Sequence, residues 1–201
     1  MPPLKDAALI LQRLKLATRE RHQALEQKLP LLHPTLSLRD YQLFLARFLG
    51  YYLPLEARLL PLPWWPQMAF AYSDRRKAPS LQQDLQALGE ATASVQSLPQ
   101  CPDLPALESL PQLLGCLYVV EGATLGGQII SRHLHATLGL TADTGAAFFG
   151  GYGTRTGSHW KAFCMALTSH AARCDSDDAV ISSANDTFAT LDRWLFPKAH
   201  A

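Results

Sequence analysis

Residues 113–130, LLGCLYVVEGATLGGQII, form the most apolar window of the chain and do most to limit its architecture. The window is near the lower length limit for a membrane-spanning helix, but Glu121 and four glycines interrupt it, which favours a helix inside a protein core. A glycine in a helix interior costs about 1 kcal/mol relative to alanine, so Gly122, Gly126 and Gly127 together give up about 3 kcal/mol. Something must require bare backbone there. Gly122 and Gly126 lie one turn apart on one face, where either a flat ligand or a closely packed second helix would meet main-chain atoms. The adjacent Gly126–Gly127 pair also supplies a natural kink point.

Around this element the chain has long segments of 3.6-residue periodicity, little strand-like alternation and no internal repeat, which predicts an all-α fold. The first helix is expected from about Asp6 to Lys28, stopping before Pro30, and a second from Ser37, whose Ser-Leu-Arg-Asp order resembles a capping box. That second helix runs toward Arg58, with Pro54 expected to kink or split it. PLPWWPQ (61–67) reads as a turn, Pro79 to Gly89 as a shorter helix, and the segment 97–111, with four prolines, as an extended connector. The long apolar helix spans about Leu110 to Leu138. A glycine-rich loop, FFGGYGTRTG (148–157), follows it, and then come helices near Ser158–Arg173 and Asp177–Leu195, giving roughly seven helices in one domain over 1–201. The glycine loop has neither a preceding strand nor a following Gly-Lys-Ser/Thr, so it reads as an ordinary loop and not a phosphate cradle.

The opening segment LKLATRERHQALE holds the second informative pattern. Leu11, Leu14, Thr18, His22, Leu25 and Leu29 recur at three- and four-residue intervals and mark one inward face. Lys15 and His22 are seven residues apart, about 10.5 Å along a helix axis and about 20° apart around it. That spacing suits a flat, dianionic, iron-bearing ligand, with iron over His22 and a carboxylate on Lys15. Glu26, one turn on, can accept a hydrogen bond from His22 Nδ1–H, fixing the tautomer and leaving Nε2 free for a metal. The plainer reading is a core histidine satisfied by the same glutamate.

Composition excludes several alternatives. With 18 Lys+Arg against 17 Asp+Glu, a formal net charge of +1 gives no global attraction to nucleic acid or an anionic membrane. Cys101, Cys116, Cys164 and Cys174 form no C-x-x-C pair and read as free thiols in a reducing, cytoplasmic compartment. The N-terminal MPPLKDAALIL has no clear secretory pattern. His133 and His135 point apart on one helix, while His33, His159, His170 and His200 lack partners at metal-ligand spacing. The cluster CDSDD (174–178) reads as a helix N-terminal cap.

The two motifs together resemble the heme oxygenase family. LKLATRERHQALE looks like its proximal-helix signature, matched at Leu14, Lys15, Ala17, Thr18, His22 and Glu26. LYVVEGATLGGQII resembles the distal helix, especially that of the small bacterial, biliverdin-producing members. GSHWKAF (157–163) is similar to the Trp-bearing helix of those members, and the motif order, separation and chain length also agree. The resemblance implies heme b sandwiched between the first helix and a glycine-kinked distal helix, serving as both substrate and cofactor. It implies His22 as the iron ligand, Lys15 and Tyr118 as propionate partners, and Gly122, Gly126 and Gly127 as the distal wall. Thr18, Glu26 and Ala123 fall within the same heme-binding set, Thr124 and Trp160 at positions bounding a distal water network, and Phe188 at the heme edge.

One departure matters. Where mammalian members carry an aspartate after the first glycine, this chain has Ala123, so protons are expected to arrive through ordered water anchored by other groups, Arg75 or Arg76 among them. The implied reaction consumes O2 and electrons and yields biliverdin, CO and Fe²⁺. A neutral histidine ligand fits it, because thiolate ligation favours O–O cleavage. Neither a flavin nor a nicotinamide fingerprint is present, so electrons come from an external ferredoxin or reductase, and a biliverdin-binding photoreceptor is a candidate recipient of the product. The alternatives are a non-catalytic heme-binding or heme-delivery protein of the same fold, and a thiaminase-type helical enzyme, for which Cys116 is the only thiol near the glycine helix.

Overall fold

Helix α1 (Leu4–Lys28) ends just ahead of Pro30, which opens a single 3-10 turn, Pro30–Leu32. The computed structural model describes residues 4–197, with side chains from residue 9 onward, so His200 lies outside the described residues. Helix α2 (Leu38–Leu59) starts where expected: Ser37 Oγ accepts the Asp40 N–H at 3.1 Å, and its hydroxyl donates to the Asp40 carboxylate at 2.6 Å. Pro54 lies inside a continuous α2 and does not split it. A proline leaves the carbonyl four residues back without its helical donor. Here that carbonyl belongs to Gly50 and accepts the Cys101 N–H at 2.8 Å. The absent Gly50 side chain is what admits the 97–111 connector so close, since a Cβ there would collide with the Pro99 carbonyl and the Trp194 ring.

Helices α3 (Ala78–Ala87) and α4 (Thr92–Gln96) follow, the second of them not foreseen from the sequence. Helix α5 (Leu110–Leu138) runs unbroken through Gly126–Gly127. Ser109 caps its start, and Gly139, at φ 68°, ends it in the left-handed conformation that glycine adopts without a Cβ penalty. Part of the expected glycine loop is helical. Helix α6 (Ala147–Gly150) begins on Asp84, whose carboxylate accepts the Ala147 and Phe148 N–H groups at 2.7 and 2.8 Å, and α7 (Thr156–Ala171) starts two residues early. Helix α8 (Asp177–Leu195) closes the described fold, with no strand among the described residues.

Helix α8 is the support on which both motif-bearing helices lie. Glycine at 115 lets α5 come to backbone distance of it, because a Cβ there would overlap the Val180 carbonyl and Ser183. Helix α1 is tied to α8 near both ends, by Arg13 to Asp177 and Asp178 (2.8 and 2.6 Å) and by Lys28 to Asp192 (2.7 Å). Asp177 and Asp178 lie in the first turn of α8, as the sequence suggests, where they favour its dipole without a side-chain cap hydrogen bond, and the same carboxylates hold α1 in register. Exposed pairs of this kind add little stability, but two of them fix how one helix lies along another. Helix α5 is long and apolar enough to cross a membrane, yet it carries the buried Glu121 and packs against α6, α7 and α8.

Candidate heme site

Helix α1 and the loop after it approach α5 at two places. Tyr118 of α5 lies beside Thr18 of α1, and the loop returns to α5 where His133 Nε2 lies 3.2 Å from the His33 carbonyl. Fifteen residues of α5 separate these contacts, about 22 Å of helix. Residues 118, 122, 125, 126, 129 and 133 share one face at helical spacing, as 15, 18, 22 and 26 do on α1. Between these contacts α1 presents the exposed His22 and Glu26 and α5 presents the exposed Leu125, Gly126 and Ile129, with Gly122 half-buried one turn before Gly126; the slot proposed below for a ligand is the space between these two faces.

His22 does not point into the core as the sequence suggests. Its side chain is 53% exposed, whereas Leu14, Thr18 and Leu25 of the same stripe are buried. It stands at the edge of the stripe because the buried Phe188 of α8 already fills the space beneath it, meeting the imidazole edge-on at 5.7 Å between ring centroids. His22 Nδ1 lies 3.3 Å from Glu26 Oε2, which leaves Nε2 free. Thr18 is buried with its hydroxyl donated to the Leu14 carbonyl at 2.8 Å, and Lys15 is exposed one turn away. Burial raises the Tyr118 hydroxyl above the usual tyrosine range, partly offset by the neighbouring Thr18 hydroxyl, so it remains a proton-bearing donor at neutral pH.

The structure separates the glycines. A Cβ on Gly126 would meet nothing within 4 Å, and one on Gly122 would touch only the Trp160 ring, at 3.7 Å. Gly127 points the other way, where a Cβ would collide with the Phe149 carbonyl, so bare backbone there serves helix packing and not the distal wall. Thr124 is likewise behind the wall: its hydroxyl donates to the Glu121 carbonyl at 2.6 Å and its Cβ faces the Gly151 loop. Ala123 is exposed on the flank of α5. Trp160 packs between Tyr118 (6.0 Å) and Phe163 (5.4 Å) and covers the Gly122 end of the slot. Leu125 and Ile129 are 45% and 58% exposed, a large apolar surface on the slot face that sequence reasoning did not single out.

Behind Gly122 is a buried charged cluster that sequence reasoning touched only at Arg75. Glu121, fully buried, accepts from Arg75 Nη1 at 2.5 Å, Lys77 Nζ at 3.0 Å and the Tyr152 hydroxyl at 2.8 Å. Lys77 Nζ also donates to the Arg75 carbonyl at 2.6 Å and to the Tyr152 hydroxyl. Burial pulls the Lys77 ammonium below the usual lysine range, against the attraction of Glu121, and pushes the Tyr152 hydroxyl up. Arg76 stands apart from this cluster and donates through Nε to Glu56 at 3.1 Å. The only sequence signal for the cluster was a glutamate in the most apolar window.

The scaffold is all-α, with an exposed imidazole on α1 and an exposed apolar, glycine-bearing face on α5. The heme oxygenase family model matches residues 8–196, and the chain belongs to that family. The fold is similar to that of the NO- and CO-bound heme oxygenase from Neisseria meningitidis, with a TM-score of 0.75 at 21% identity over 94% of each chain. It is also similar to the heme oxygenase from Leptospira interrogans (0.69, 19%, 92% of this chain and 98% of the other). A third likeness is to heme oxygenase-1 from the cyanobacterium Synechocystis in complex with heme (0.70, 17%, 92% and 90%). No curated protein matches the sequence.

Proposed function

We propose that the chain cleaves heme oxidatively to biliverdin, CO and Fe²⁺, with heme lying in the slot between α1 and α5. The donor set fits that ligand. His22 offers Nε2 while Glu26 engages the other ring nitrogen, the arrangement that fixes the tautomer and orients an imidazole toward a metal. Lys15 and the Tyr118 hydroxyl stand within one turn of Thr18 at one end of the slot, suited to a pair of propionates. Leu125, Ile129 and the Phe188 edge supply apolar contact, and Gly122 and Gly126 admit a planar ring to main-chain distance.

Bound heme supplies the iron that takes up O2 and the meso carbon that is oxidised, so the protein contributes geometry and protons. Trp160 and the α5 backbone at Gly122 confine the distal side and exclude bulk water there. Ala123 brings no carboxylate to that side, so proton supply falls to ordered water held by main-chain carbonyls and by the Arg75 end of the buried cluster. Electrons come from an external ferredoxin or reductase, and a biliverdin-binding photoreceptor is a fitting recipient of the product.

What supports this reading is the exposed His22–Glu26 pair on α1 together with the open Gly126 backbone and the exposed Leu125 and Ile129 of α5. Ala123 favours a second reading, a heme carrier that lost turnover. Incubating the hemin complex aerobically with ascorbate or reduced ferredoxin separates the two: the enzyme loses its Soret band and turns green, whereas a carrier keeps the band.

A further inference from the structure

Arg75 joins three elements at one guanidinium. Its Nη1 donates to Glu121 on α5 at 2.5 Å and to the His159 carbonyl at the start of α7 at 3.2 Å, and its Cζ lies 3.6 Å from the centroid of the Phe70 ring. The residue after His159 is Trp160, whose ring covers Gly122, the residue after Glu121. One buried ion pair is thus one residue removed, on both helices, from the contact that closes the distal side. The His159 ring stacks on Tyr152 at 4.2 Å, and the Tyr152 hydroxyl donates to the same Glu121, so α7 is fastened to α5 a second time.

We infer that Arg75 and Glu121 are positioning residues, a buried clamp that sets the Trp160 ring over Gly122 and so fixes the height of the distal wall above a bound ring. The assignment rests on the proposed heme site for its consequence, although the clamp itself exists without ligand. A planar guanidinium presents two N–H directions from one nitrogen and further donors beside it, which lets it hold a carboxylate and a carbonyl at once; an ammonium at the end of a shorter chain does not reproduce that fork. Burial makes the arrangement rigid, since removing Arg75 leaves the interior Glu121 carboxylate with Lys77 as its one cationic partner and frees the His159 carbonyl.

The test uses the full chain labelled with 5-fluorotryptophan. It gives four fluorine resonances, for Trp64, Trp65, Trp160 and Trp194, and the Trp160 signal is assigned by its loss in Trp160→Phe. In Arg75→Lys, which keeps a cation beside Glu121 and so preserves the fold, the Trp160 resonance moves or broadens while those of Trp64 and Trp194 stay in place; Glu121→Gln, where it folds, does the same. Hemin affinity by Soret titration changes less than about twofold, while aerobic heme consumption falls about tenfold, the pattern of lost transition-state placement rather than lost binding. Adding Trp160→Phe to Arg75→Lys then causes no further fall. A Trp160 resonance unmoved in folded Arg75→Lys overturns the assignment. If the wild-type chain consumes no heme, the functional reading fails by itself and the fluorine signal still decides the clamp.

Discussion

Gly126 and Gly127 are neighbours in the chain with opposite surroundings: a side chain on Gly126 would stand free, and one on Gly127 would run into the Phe149 carbonyl. The two alanine substitutions therefore have opposite signs. Gly127→Ala forces α5 and α6 apart and destabilises by about 1–3 kcal/mol. Gly126→Ala gains helix propensity, about 1 kcal/mol, and raises Tm by roughly 2–4 °C in a chain of this size. Its methyl group enters the slot, so hemin binding weakens about tenfold, or roughly 1.4 kcal/mol. A Gly126→Ala protein with raised Tm and wild-type hemin affinity would remove Gly126 from the heme site.

On the proposed binding mode, Lys15 and Tyr118 set the rotation of the ring in its plane rather than its affinity. Lys15→Ala is expected to alter the biliverdin isomer ratio more than heme occupancy. Chromatographic separation of the isomers after single turnover checks this, and an unchanged isomer counts against the role.

Asp84 gives the fold a pH signature. An exposed aspartate titrates near 3.9, whereas burial raises Asp84 to about 6 despite the two N–H groups it accepts. The folded state therefore binds the proton more tightly than the unfolded chain. This contribution to stability is complete below about pH 4 and is lost as pH rises through about 6. Asp84→Asn removes it, so urea unfolding of wild type between pH 4 and pH 7 loses on the order of 2 kcal/mol relative to the variant. Parallel pH profiles would show that Asp84 is not the group responsible.

The thiols sort by burial. Cys174 is exposed; burial lifts Cys164 to about 11 and Cys116, enclosed in the core, to about 12, and raises Cys101 as well. Because the thiolate is the reactive form, a disulfide reagent at pH 8 should titrate one equivalent quickly in the native protein and the other three only on unfolding. Loss of the fast equivalent in Cys174→Ser confirms the order, and a second fast thiol contradicts it.

Elements governed by local signals were legible from residues alone. Lys28 ahead of Pro30, Ser37 before α2, and the start of α5 at Leu110 and its end at Leu138 all appear where periodicity and capping chemistry put them. What escaped depends on pairs distant in sequence. Pro54 sits in a continuous α2 because Cys101, from another segment, takes the Gly50 carbonyl. Gly127 differs from Gly126 only through Phe149, and His22 is pushed to the edge of its stripe by Phe188. The Arg75–Glu121–Lys77–Tyr152 cluster gathers residues from three parts of the chain, and no local pattern announces it. Two readings of the glycine helix stood open from sequence. Each is represented, close packing at Gly127 and an open face at Gly122 and Gly126.

The central claim is that His22 binds porphyrin iron across the slot from Gly122 and Gly126. The direct measurement is a hemin titration followed by absorption spectroscopy of wild type and His22→Ala, with imidazole added back to the variant. The account predicts a Soret band in the wild type that is shifted in His22→Ala and restored by imidazole. Identical spectra for wild type and His22→Ala would contradict it.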